Sequence, residues 1–379
     1  MRGALNGIKV LDFSTLLPGP MATLFLAEAG AEVIKIERPG RGDEMRSYSP
    51  QWGGEAVNFH MLNRGKKSVA LDLKDPASFA LLQPLIVEAD IIIEQFRPGV
   101  MARNGLGYDD LRAVNPGLIY CSITGYGQNG PSHAEAGHDL NYIGRTGMLA
   151  LSPGTAEVPV IPPALIADIA AGTYPALLNI LLALRQRDQT GEGAYIDIAM
   201  ADNLFPFLYW ALGEGEATGQ WPGAGNSLVT GGSPRYRLYS SADGRFVAVA
   251  ALEQKFWDSF TDVIGLDHDL RDDSADPEAT SAAIAAILGT RSAADWEQLL
   301  SAADCCCTIV HTVSEARLDP HFVARGLFDD QIANEDGQTM TALPTPVTRA
   351  FRADRGKAVA APKLGRDNDI LLSKLGDKA

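Results

Sequence analysis

The sequence predicts an α/β protein, with a doubly wound parallel sheet in a large domain and a smaller α+β domain after it. Three observations lead to this prediction. Short, almost continuously apolar runs alternate with amphipathic segments through the first half of the chain. Such runs are typical of parallel strands that helices cover on both faces. A glycine-rich stretch then begins near residue 214, and the apolar residues beyond it alternate with polar ones, as in an antiparallel hairpin.

Strands and helices are predicted in alternation through the first half. The strand candidates are Ile8–Phe13, Glu32–Ile36, Val69–Leu73, Asp90–Gln95 and Leu118–Ile123. The helix candidates between them are Pro20–Ala29, Pro76–Ala89 and Asp109–Val114. The next predicted elements are a helix at Ile169–Gln186, a strand at Gly191–Met200 and a helix at Ala201–Leu212. Pro175 should kink the first of these helices or lie in its first turns.

The second half is predicted to contain a linker, a small domain and a C-terminal segment. Glu214–Pro234 is rich in glycine and polar residues, and two alternating strands follow it around a turn at 242–245. The helix candidates are Gln254–Ile264, Thr280–Leu288 and Ser292–Ala302. We therefore predict a large domain over 1–213, a linker and small domain over 214–319, and a segment over 320–379 that packs back on the large domain.

The composition is that of a globular enzyme. The chain has 379 residues, of which 46% are hydrophobic and 21% charged, so it is too apolar for a disordered protein. A net charge of −15 argues against nucleic acid or an anionic membrane as a partner, although a few local arginines suffice to bind an anionic ligand. No apolar run suggests a membrane span, and the N-terminus lacks the layout of a signal peptide. We expect a cytoplasmic protein.

The four cysteines do not indicate a metal or disulfide site. Cys121 is isolated, and Cys305, Cys306 and Cys307 are consecutive. Adjacent cysteines do not form an unstrained disulfide, and no C-x-x-C or Cys/His ligand spacing is present. The three are expected to be small, buried apolar residues at a helix-to-strand junction, and no metal site is predicted.

Three ionisable residues are candidate catalytic groups, and each has a simpler explanation. His138 follows a glycine-rich loop, where a ligand can approach the backbone and an imidazole titrates near neutral pH, but it could equally cap a surface turn. Asp168 is an isolated acid in an apolar stretch at a helix start, which a helix N-cap also explains. Glu253 precedes a helix, where the helix dipole alone favours an acid.

The ends of the predicted strands carry candidate anion-binding residues. Arg38 and Arg97 each directly follow a strand, at the edge where open α/β sheets bind ligands, and a guanidinium group suits a phosphate. Arg41 and Arg103 lie nearby in the sequence, and solvation at the surface is an equally open role for all four. The turn after the first strand, Ser14 to Pro20, has no G-x-G-x-x-G motif, which argues against a dinucleotide-dependent dehydrogenase.

Five motifs are spaced along nearly the whole chain. They are LNGIKVLDFSTLLPGPMATLFLAEAGAEVIKIERP, LNRGKKSVALDLK, ADIIIEQFRPGV, LIYCSITGYGQNGP and EARLDPHFVARGLF. In this order they resemble the family III CoA-transferases and their relatives, the α-methylacyl-CoA racemases. The resemblance implies an acyl-CoA thioester as substrate, an intertwined homodimer, and no cofactor beyond the coenzyme A part of the substrate.

The catalytic residues that the resemblance implies depend on the branch of this family. In the transferases, an aspartate that corresponds to Asp168 takes the acyl group as a mixed anhydride. Racemases keep that aspartate and add a histidine in an A-G-H-D-x-N-Y motif, present here as Ala136–Tyr142, and a glutamate that corresponds to Glu253. The stretch TGGSPRYRLYSSADGRFVAVAALEQKF is also more similar to racemases. The resemblance favours a racemase, with a CoA-transferase as the alternative.

A racemase mechanism needs an acid and a base on opposite faces of the α-carbon, which the resemblance assigns to His138 and Asp168. Glu253 is expected to contact His138 across a dimer interface. The pKa of Asp168 should be raised by its apolar surroundings, and backbone N–H groups at the start of its helix should stabilise the enolate. By motif match, coenzyme A is expected to contact Arg38, Leu71, Asp72, Leu73, Lys74, Gln95, Phe96, Arg97, Arg103, Gly137, Asp139, Leu140, Asn141 and Tyr142.

Overall fold

The computed structural model describes residues 3–152, 158–354, 356 and 358–372. The chain divides into two compact units. The first unit comprises Met1–Thr146, Ala164–Pro206 and His321–Ala379, and the second comprises Gly147–Pro163 and Phe207–Pro320. This division differs from the predicted one mainly because Gly147–Pro163 joins the second unit.

The elements of the described residues follow in chain order. The strands are β1 (Lys9–Asp12), β2 (Glu32–Glu37), β3 (Gln51–Trp52), β4 (Glu55–Ala56), β5 (Lys67–Ala70), β6 (Ile91–Glu94), β7 (Ile119–Thr124), β8 (Ala194–Ala199), β9 (Tyr236–Ser240), β10 (Phe246–Ala250), β11 (Cys307–Ile309), β12 (Gln331–Ala333), β13 (Thr339–Thr341) and β14 (Ala358–Ala360). The α-helices are α1 (Pro18–Glu28), α2 (Val57–Asn63), α3 (Pro76–Glu88), α4 (Val100–Arg103), α5 (Tyr108–Val114), α6 (Asp139–Arg145), α7 (Tyr174–Thr190), α8 (Tyr209–Thr218), α9 (Gln254–Ile264), α10 (Pro277–Leu288), α11 (Ala293–Ser301), α12 (Val313–Ala316), α13 (Pro320–Ala324) and α14 (Asn368–Leu372). A π-helical segment, Ala167–Thr173, runs into α7, and 3₁₀ turns lie at Glu44–Ser47, Leu149–Leu151, Asp202–Leu208, Leu228–Thr230, His268–Leu270 and Arg349–Phe351.

A parallel sheet is the centre of the first unit, which confirms the predicted fold class. Among the described residues it has six strands in the order β5-β2-β1-β6-β7-β8. The chain moves outwards from β1 to β2 and β5, and then returns to the other side of β1 with β6. A parallel sheet with such a reversal has a crevice at the carboxyl ends of the two strands that flank it, where ligands bind. Here those strands are β1 and β6.

Helices pack against the sheet in two buried clusters. Leu11, Ile34, Val69 and Ile92 come from four neighbouring strands and pack with residues of α3, α5 and α14. The second cluster joins residues of α1 and α2, with partly buried residues from the π-helical segment and α7 against it. Strands buried against helices need near-continuous apolar sequences, which is why their positions were predictable.

The C-terminal part of the first unit covers the β5 edge of the sheet. Asp367 accepts a hydrogen bond from the Ser68 N–H at 2.9 Å, and Asn368 accepts one from the Ala70 N–H at 2.8 Å. The Asn368 amide also donates to the Ala70 carbonyl at 3.0 Å. These side chains satisfy backbone groups that an uncovered edge strand would expose.

Two predicted boundaries are wrong for local reasons. The strand predicted at Val69–Leu73 ends at Ala70, because the Asp72 carboxylate accepts the Lys74 N–H and bends the chain. The helix predicted at Ala201–Leu212 is a 3₁₀ turn over Asp202–Leu208 followed by α8, since Pro206 has no N–H to donate to an α-helix. As a result, α8 extends into the predicted linker and ends before Gly219.

The helical stretch Ala167–Thr190 contradicts the expectation that no apolar run is long enough to suggest a membrane span. Its 24 residues are long and apolar enough, by length and composition alone, to cross a membrane. About 44% of its most apolar window is buried inside the protein, where α7 packs on the sheet strands β7 and β8. A core helix has the same composition as a spanning helix, because both bury apolar side chains.

A three-stranded antiparallel sheet, in the order β11-β10-β9, is the centre of the second unit. The predicted hairpin is confirmed as β9 and β10. Helices α9, α10 and α11 pack on this sheet through a buried cluster that includes Val247, Trp257, Phe260 and Trp296.

Candidate active site

Several of the predicted coenzyme A contacts lie along the carboxyl edge of the parallel sheet. Arg38 directly follows β2, Leu71–Lys74 follow β5, and Gln95–Arg97 follow β6. Strands β2 and β5 leave the sheet side by side, and the Leu71 N–H donates to the Glu37 carbonyl at 2.8 Å. The Arg38 guanidinium is exposed and is held by the Gly42 carbonyl at 3.1 Å and by Glu44 at 2.9 Å.

A cavity of about 450 Å³ opens at the carboxyl ends of β1, β6 and β7, where the strand order reverses. The predicted site residues that line it are Gln95, Phe96, Arg97, Gly137, His138, Asn141, Tyr142 and Asp168. Its lining, within the described part of the chain, does not include Arg38, Leu71, Asp72, Leu73, Lys74, Arg103, Asp139, Leu140 or Glu253. The two candidate catalytic groups of the first unit therefore share one cavity.

Sequence reasoning missed several residues of the cavity wall. They include Thr15, Leu16, Pro18, Thr124 and Met200, which follow or end the strands β1, β7 and β8. The rule that ligands bind at strand ends could have found them, because it applies to every strand that flanks the reversal. The sequence of the turn after β1 indicated only that the G-x-G-x-x-G motif of a dinucleotide site is missing.

Leu16 has an unusual backbone conformation in this wall. Its φ is +62°, a left-handed conformation that residues with a Cβ rarely adopt. The Leu16 N–H donates to the Asp43 carboxylate at 3.0 Å, and Asp43 pairs with Lys35 at 2.9 Å. The Lys35 ammonium also donates to the Ser14 carbonyl at 2.7 Å, so buried charges hold both ends of the turn.

Asp12, at the end of β1, belongs to the same buried charge cluster. It accepts hydrogen bonds from Ser14 and from Thr23, and pairs with the Lys66 ammonium at 3.1 Å. Burial by itself would raise the pKa of Asp12, but the Lys66 and Lys35 ammonium groups outweigh it and lower this pKa to about 2. The carboxylate is therefore ionised in the folded protein and fixes the base of the turn.

His138 has the capping position that its simpler explanation predicted, and it also lies at the cavity. It is the N-cap residue of α6, it is exposed, and it lines the cavity. The His138 N–H donates to the Asn141 side chain at 3.0 Å, and the Asn141 N–H donates to the His138 carbonyl at 2.8 Å. Asn141 thus fixes the backbone from which the imidazole projects.

Tyr142 explains why glycine occupies two positions of the cavity wall. A Cβ at Gly125 would lie 2.4 Å from the Tyr142 ring, and one at Gly137 would lie 2.7 Å from it. The buried Tyr142 hydroxyl donates to the Gly137 carbonyl at 2.6 Å. The ring therefore joins the loop after β7 to the loop before α6.

Asp168 lies inside the π-helical segment, so the N-cap explanation for this residue is wrong. The N-cap position is Ile166, and Asp168 is in the first turn. The far end of the segment is fixed to the start of α1, since the buried Thr173 hydroxyl donates to the Pro18 carbonyl at 2.8 Å. π-Helical turns occur frequently at functional sites.

The carboxyl group of Asp168 has a raised pKa, as its apolar sequence surroundings predicted. Burial is the largest cause, the neighbouring Asp139 carboxylate adds to it, and His138 opposes it, with a resulting pKa of about 6. The interaction with both groups shows that Asp168, Asp139 and His138 form one electrostatic cluster.

Two of the backbone N–H groups at the start of the Asp168 helix, where enolate stabilisation was expected, are engaged within the protein. The Asp168 N–H donates to the buried Asp139 carboxylate at 3.0 Å, and the Ile169 N–H donates to the Leu165 carbonyl at 3.0 Å. These donors already have partners within the protein. Asp139 is thus a link between α6 and the π-helical segment.

Glu253 lies in the second unit as the exposed N-cap residue of α9. Its carbonyl accepts hydrogen bonds from the Phe256 and Trp257 N–H groups, both at 3.0 Å, while its side chain makes no capping hydrogen bond. Within the described residues, no group of three or more His, Cys, Asp or Glu side chains is arranged to hold a metal ion.

Comparison with known proteins identifies the family. The model of CoA-transferase family III matches residues 5–368. The chain belongs to CoA-transferase family III. It is 33% identical to human alpha-methylacyl-CoA racemase, over 98% of this chain and 94% of the relative. It is also 33% identical to acetyl-CoA:oxalate CoA-transferase of Acetobacter aceti, over 98% of this chain and 95% of the relative.

A solved structure supports the fold of this family III chain. The crystal structure of a CAIB/BAIF family protein from Brucella suis matches with a TM-score of 0.84 and 30% identity, over 99% of this chain and 100% of the other. This protein is therefore an enzyme of family III. Racemases and CoA-transferases are similar to it at the same identity, so family membership leaves the reaction open.

Proposed function

We propose that this protein is an acyl-CoA racemase that moves a proton at the α-carbon of a 2-methylacyl-CoA thioester. The observation that carries the proposal is the shared cavity of His138 and Asp168, in which the Asp168 carboxyl has a pKa of about 6. A carboxyl group with this pKa can both give up and accept a proton near neutral pH. Paired with the imidazole of His138, it can act as acid or as base, and so convert either enantiomer into the other.

In this mechanism one of the two groups removes the α-proton and the other returns a proton to the opposite face. The thioester carbonyl takes up the negative charge in between. The N-terminus of α1 begins on the cavity wall at Pro18, and the positive end of its dipole favours negative charge there. The coenzyme A part would extend along the strand ends towards Arg97, Arg38 and Leu71–Lys74.

A CoA-transferase is the second candidate, and a transferase relative at 33% identity over 98% of the chain favours it. In that reaction the ionised Asp168 carboxylate would attack the thioester, and a second carboxylic acid would accept coenzyme A. The shared cavity with His138 supports the racemase instead, because proton transfer to the opposite face needs a second acid or base and the transferase reaction does not.

We extend the proposal to a cytoplasmic homodimer in which Glu253 of one protomer contacts His138 of the other. An exposed apolar stripe on α7 supports association. The stripe comprises Tyr174, Leu178, Leu181 and Leu182, which are 44–59% exposed. Contiguous exposed apolar surface of this kind is typical of protein–protein interfaces.

The test is incubation of the enzyme with one enantiomer of a 2-methylacyl-CoA in deuterated water, followed by mass and chirality analysis. The wild type should incorporate one deuteron at the α-carbon and lose optical purity without any added acid. His138→Ala and Asp168→Ala should each reduce this exchange at least about 100-fold, the usual contribution of a general acid or base. The exposed His268→Ala is the matched control and should keep the wild-type rate.

Two outcomes would refute the racemase. One is near wild-type exchange in either active-site variant. The other is a wild type that incorporates no deuterium but transfers coenzyme A to an added carboxylic acid, which would establish the transferase.

A further inference from the structure

The consecutive cysteines of the second unit lie in a distorted turn between α11 and β11. Asp304 and Cys306 have φ values of +47° and +53°, in the left-handed region that residues with a Cβ avoid. The buried Cys305 thiol donates to the Leu300 carbonyl at 3.6 Å, and the Cys306 carbonyl accepts the Ala250 N–H at 3.0 Å. Unfavourable backbone conformations persist where the surrounding structure holds them, and they cluster at functional sites.

The left-handed turn at Cys306 brings the residues on either side of it together. In an extended chain, the Cα atoms of residues i and i+2 lie about 6.6–7.2 Å apart, which is near or beyond the usual limit for a disulfide. Helical geometry of either hand reduces this distance to about 5.4 Å, well inside the disulfide range. Cys305 and Cys307 therefore have a suitable span, whereas adjacent cysteines, about 3.8 Å apart, do not.

The side chains of Cys305 and Cys307 are also in contact. The Cys307 thiol donates to the Cys305 carbonyl at 3.3 Å. It interacts with the Cys305 thiol as well, which lowers the pKa of Cys305 and raises that of Cys307. Desolvation and the carboxylates of Glu253 and Asp304 raise the pKa of Cys306. Cys305 and Cys307 are thus the pair whose thiols interact, while Cys306 is exposed, contrary to the expectation that all three cysteines are buried.

We propose that Cys305 and Cys307 are an oxidation site that closes into an intrachain disulfide with a hydroperoxide as oxidant. The peroxide oxidises one thiol to a sulfenic acid and releases water. The second thiolate attacks that sulfur, the S–S bond forms, and a second water leaves. In total, two thiols lose two hydrogens and the peroxide is reduced to two waters.

The site is next to the segment that carries Glu253. Cys307 pairs with Val249 in the sheet, and the Cys306 carbonyl holds Ala250, three residues before Glu253. Closing the disulfide therefore changes the geometry at the start of α9. The thiol chemistry itself does not depend on the proposed racemase reaction, so either proposal can fail without the other.

The experiment is thiol mapping of the full-length protein after treatment with hydrogen peroxide. Remaining thiols are labelled with N-ethylmaleimide in denaturant, and trypsin releases the peptide 292–317 after Arg291 and Arg317. In the wild type this peptide should lose two hydrogens and carry one label, located on Cys306 by fragmentation. Treatment with dithiothreitol before labelling should restore three labels. Cys121, buried in β7, serves as the internal standard for labelling.

Three variants separate this pair from other oxidation products. Cys306→Ser should still lose two hydrogens, whereas Cys305→Ala and Cys307→Ala should not. Three labels on the oxidised wild-type peptide would overturn the proposal. A disulfide that contains Cys306, or one that links two chains, would overturn it as well.

Discussion

At the scale of single residues, the surroundings of Asp168 affect folding stability and the proposed proton transfer in opposite directions. Its carboxyl group is partly buried beside the Asp139 carboxylate, which makes the ionised form unfavourable in the folded protein. The same surroundings bring its pKa near the value that proton exchange with an imidazole requires. The raised pKa therefore costs folding free energy, and the proposed racemase reaction would benefit from it.

We predict that Asp168→Asn stabilises the protein above pH 6. The carboxyl has a pKa of about 6 in the folded protein and an ordinary value of 3.8, so the folded state retains a proton that the unfolded state has lost. The free energy of unfolding of the wild type should therefore fall, relative to the variant, as the pH rises from 4 to 6. The variant should be more stable by about 2–3 kcal/mol at pH 8, and equal to the wild type below pH 4.

Urea unfolding at pH 4, 6 and 8 measures this difference. The exposed Asp188→Asn, on α7, is the matched control and should change the free energy of unfolding by less than about 0.5 kcal/mol at every pH. An Asp168→Asn variant that is less stable than the wild type at pH 8 would contradict burial and the Asp139 carboxylate as the causes of the raised pKa.

At the scale of elements, the turn from β1 into α1 depends on buried charges. Asp12, Lys35 and Lys66 are fully buried beneath the cavity wall. Such charges persist in a protein interior only when they are paired and hydrogen-bonded. This cluster fixes a turn that no glycine-rich sequence supports, and it holds Leu16 in its left-handed conformation.

We predict that Asp12→Asn lowers the free energy of unfolding by about 3–5 kcal/mol, because it leaves the Lys66 ammonium buried without its charge partner. Lys9→Gln is the matched control at the start of the same strand. Lys9 pairs with Glu88 at the surface, and its loss should cost less than about 1 kcal/mol. Chemical denaturation measures the free energy of unfolding of both variants. Equal losses would show that burial does not determine the cost of removing one partner of an ion pair.

At the scale of the whole molecule, the face of α7 that points away from the sheet requires an explanation. Leu178, Leu181 and Leu182 are 48–59% exposed on one side of this helix, while Ala176, Ile180 and Ala183 on the other side are buried. A helix that is apolar on both sides is normally buried on both sides. The proposed homodimer would supply the second contact.

We predict that the protein sediments at twice its chain mass of 40.4 kDa. The double variant Leu178→Glu with Leu182→Glu should sediment at the mass of one chain, because it places charges in the apolar stripe. Val87→Glu, at an exposed position of α3, is the control and should leave the mass unchanged. A wild type that sediments as a single chain at micromolar concentration would refute the dimer.

The sequence by itself determined the type and order of most elements of the large sheet. Each strand is a local apolar run and each helix a local periodic pattern, so neighbouring residues contain that information. The same local patterns indicated His138 after its glycine loop and the raised pKa of Asp168 in its apolar stretch. They also placed Arg38 and Arg97 at strand ends.

Only the tertiary structure decided which strand ends meet. The order β5-β2-β1-β6-β7-β8 arises from pairings between distant segments, and it brings Leu16, Thr124 and Met200 into one cavity wall. It also decided that the Asp168 N–H donates to Asp139, which is 29 residues away, rather than remaining free for substrate. Local sequence cannot specify such contacts, because they depend on how separate elements pack and which buried polar groups then satisfy one another.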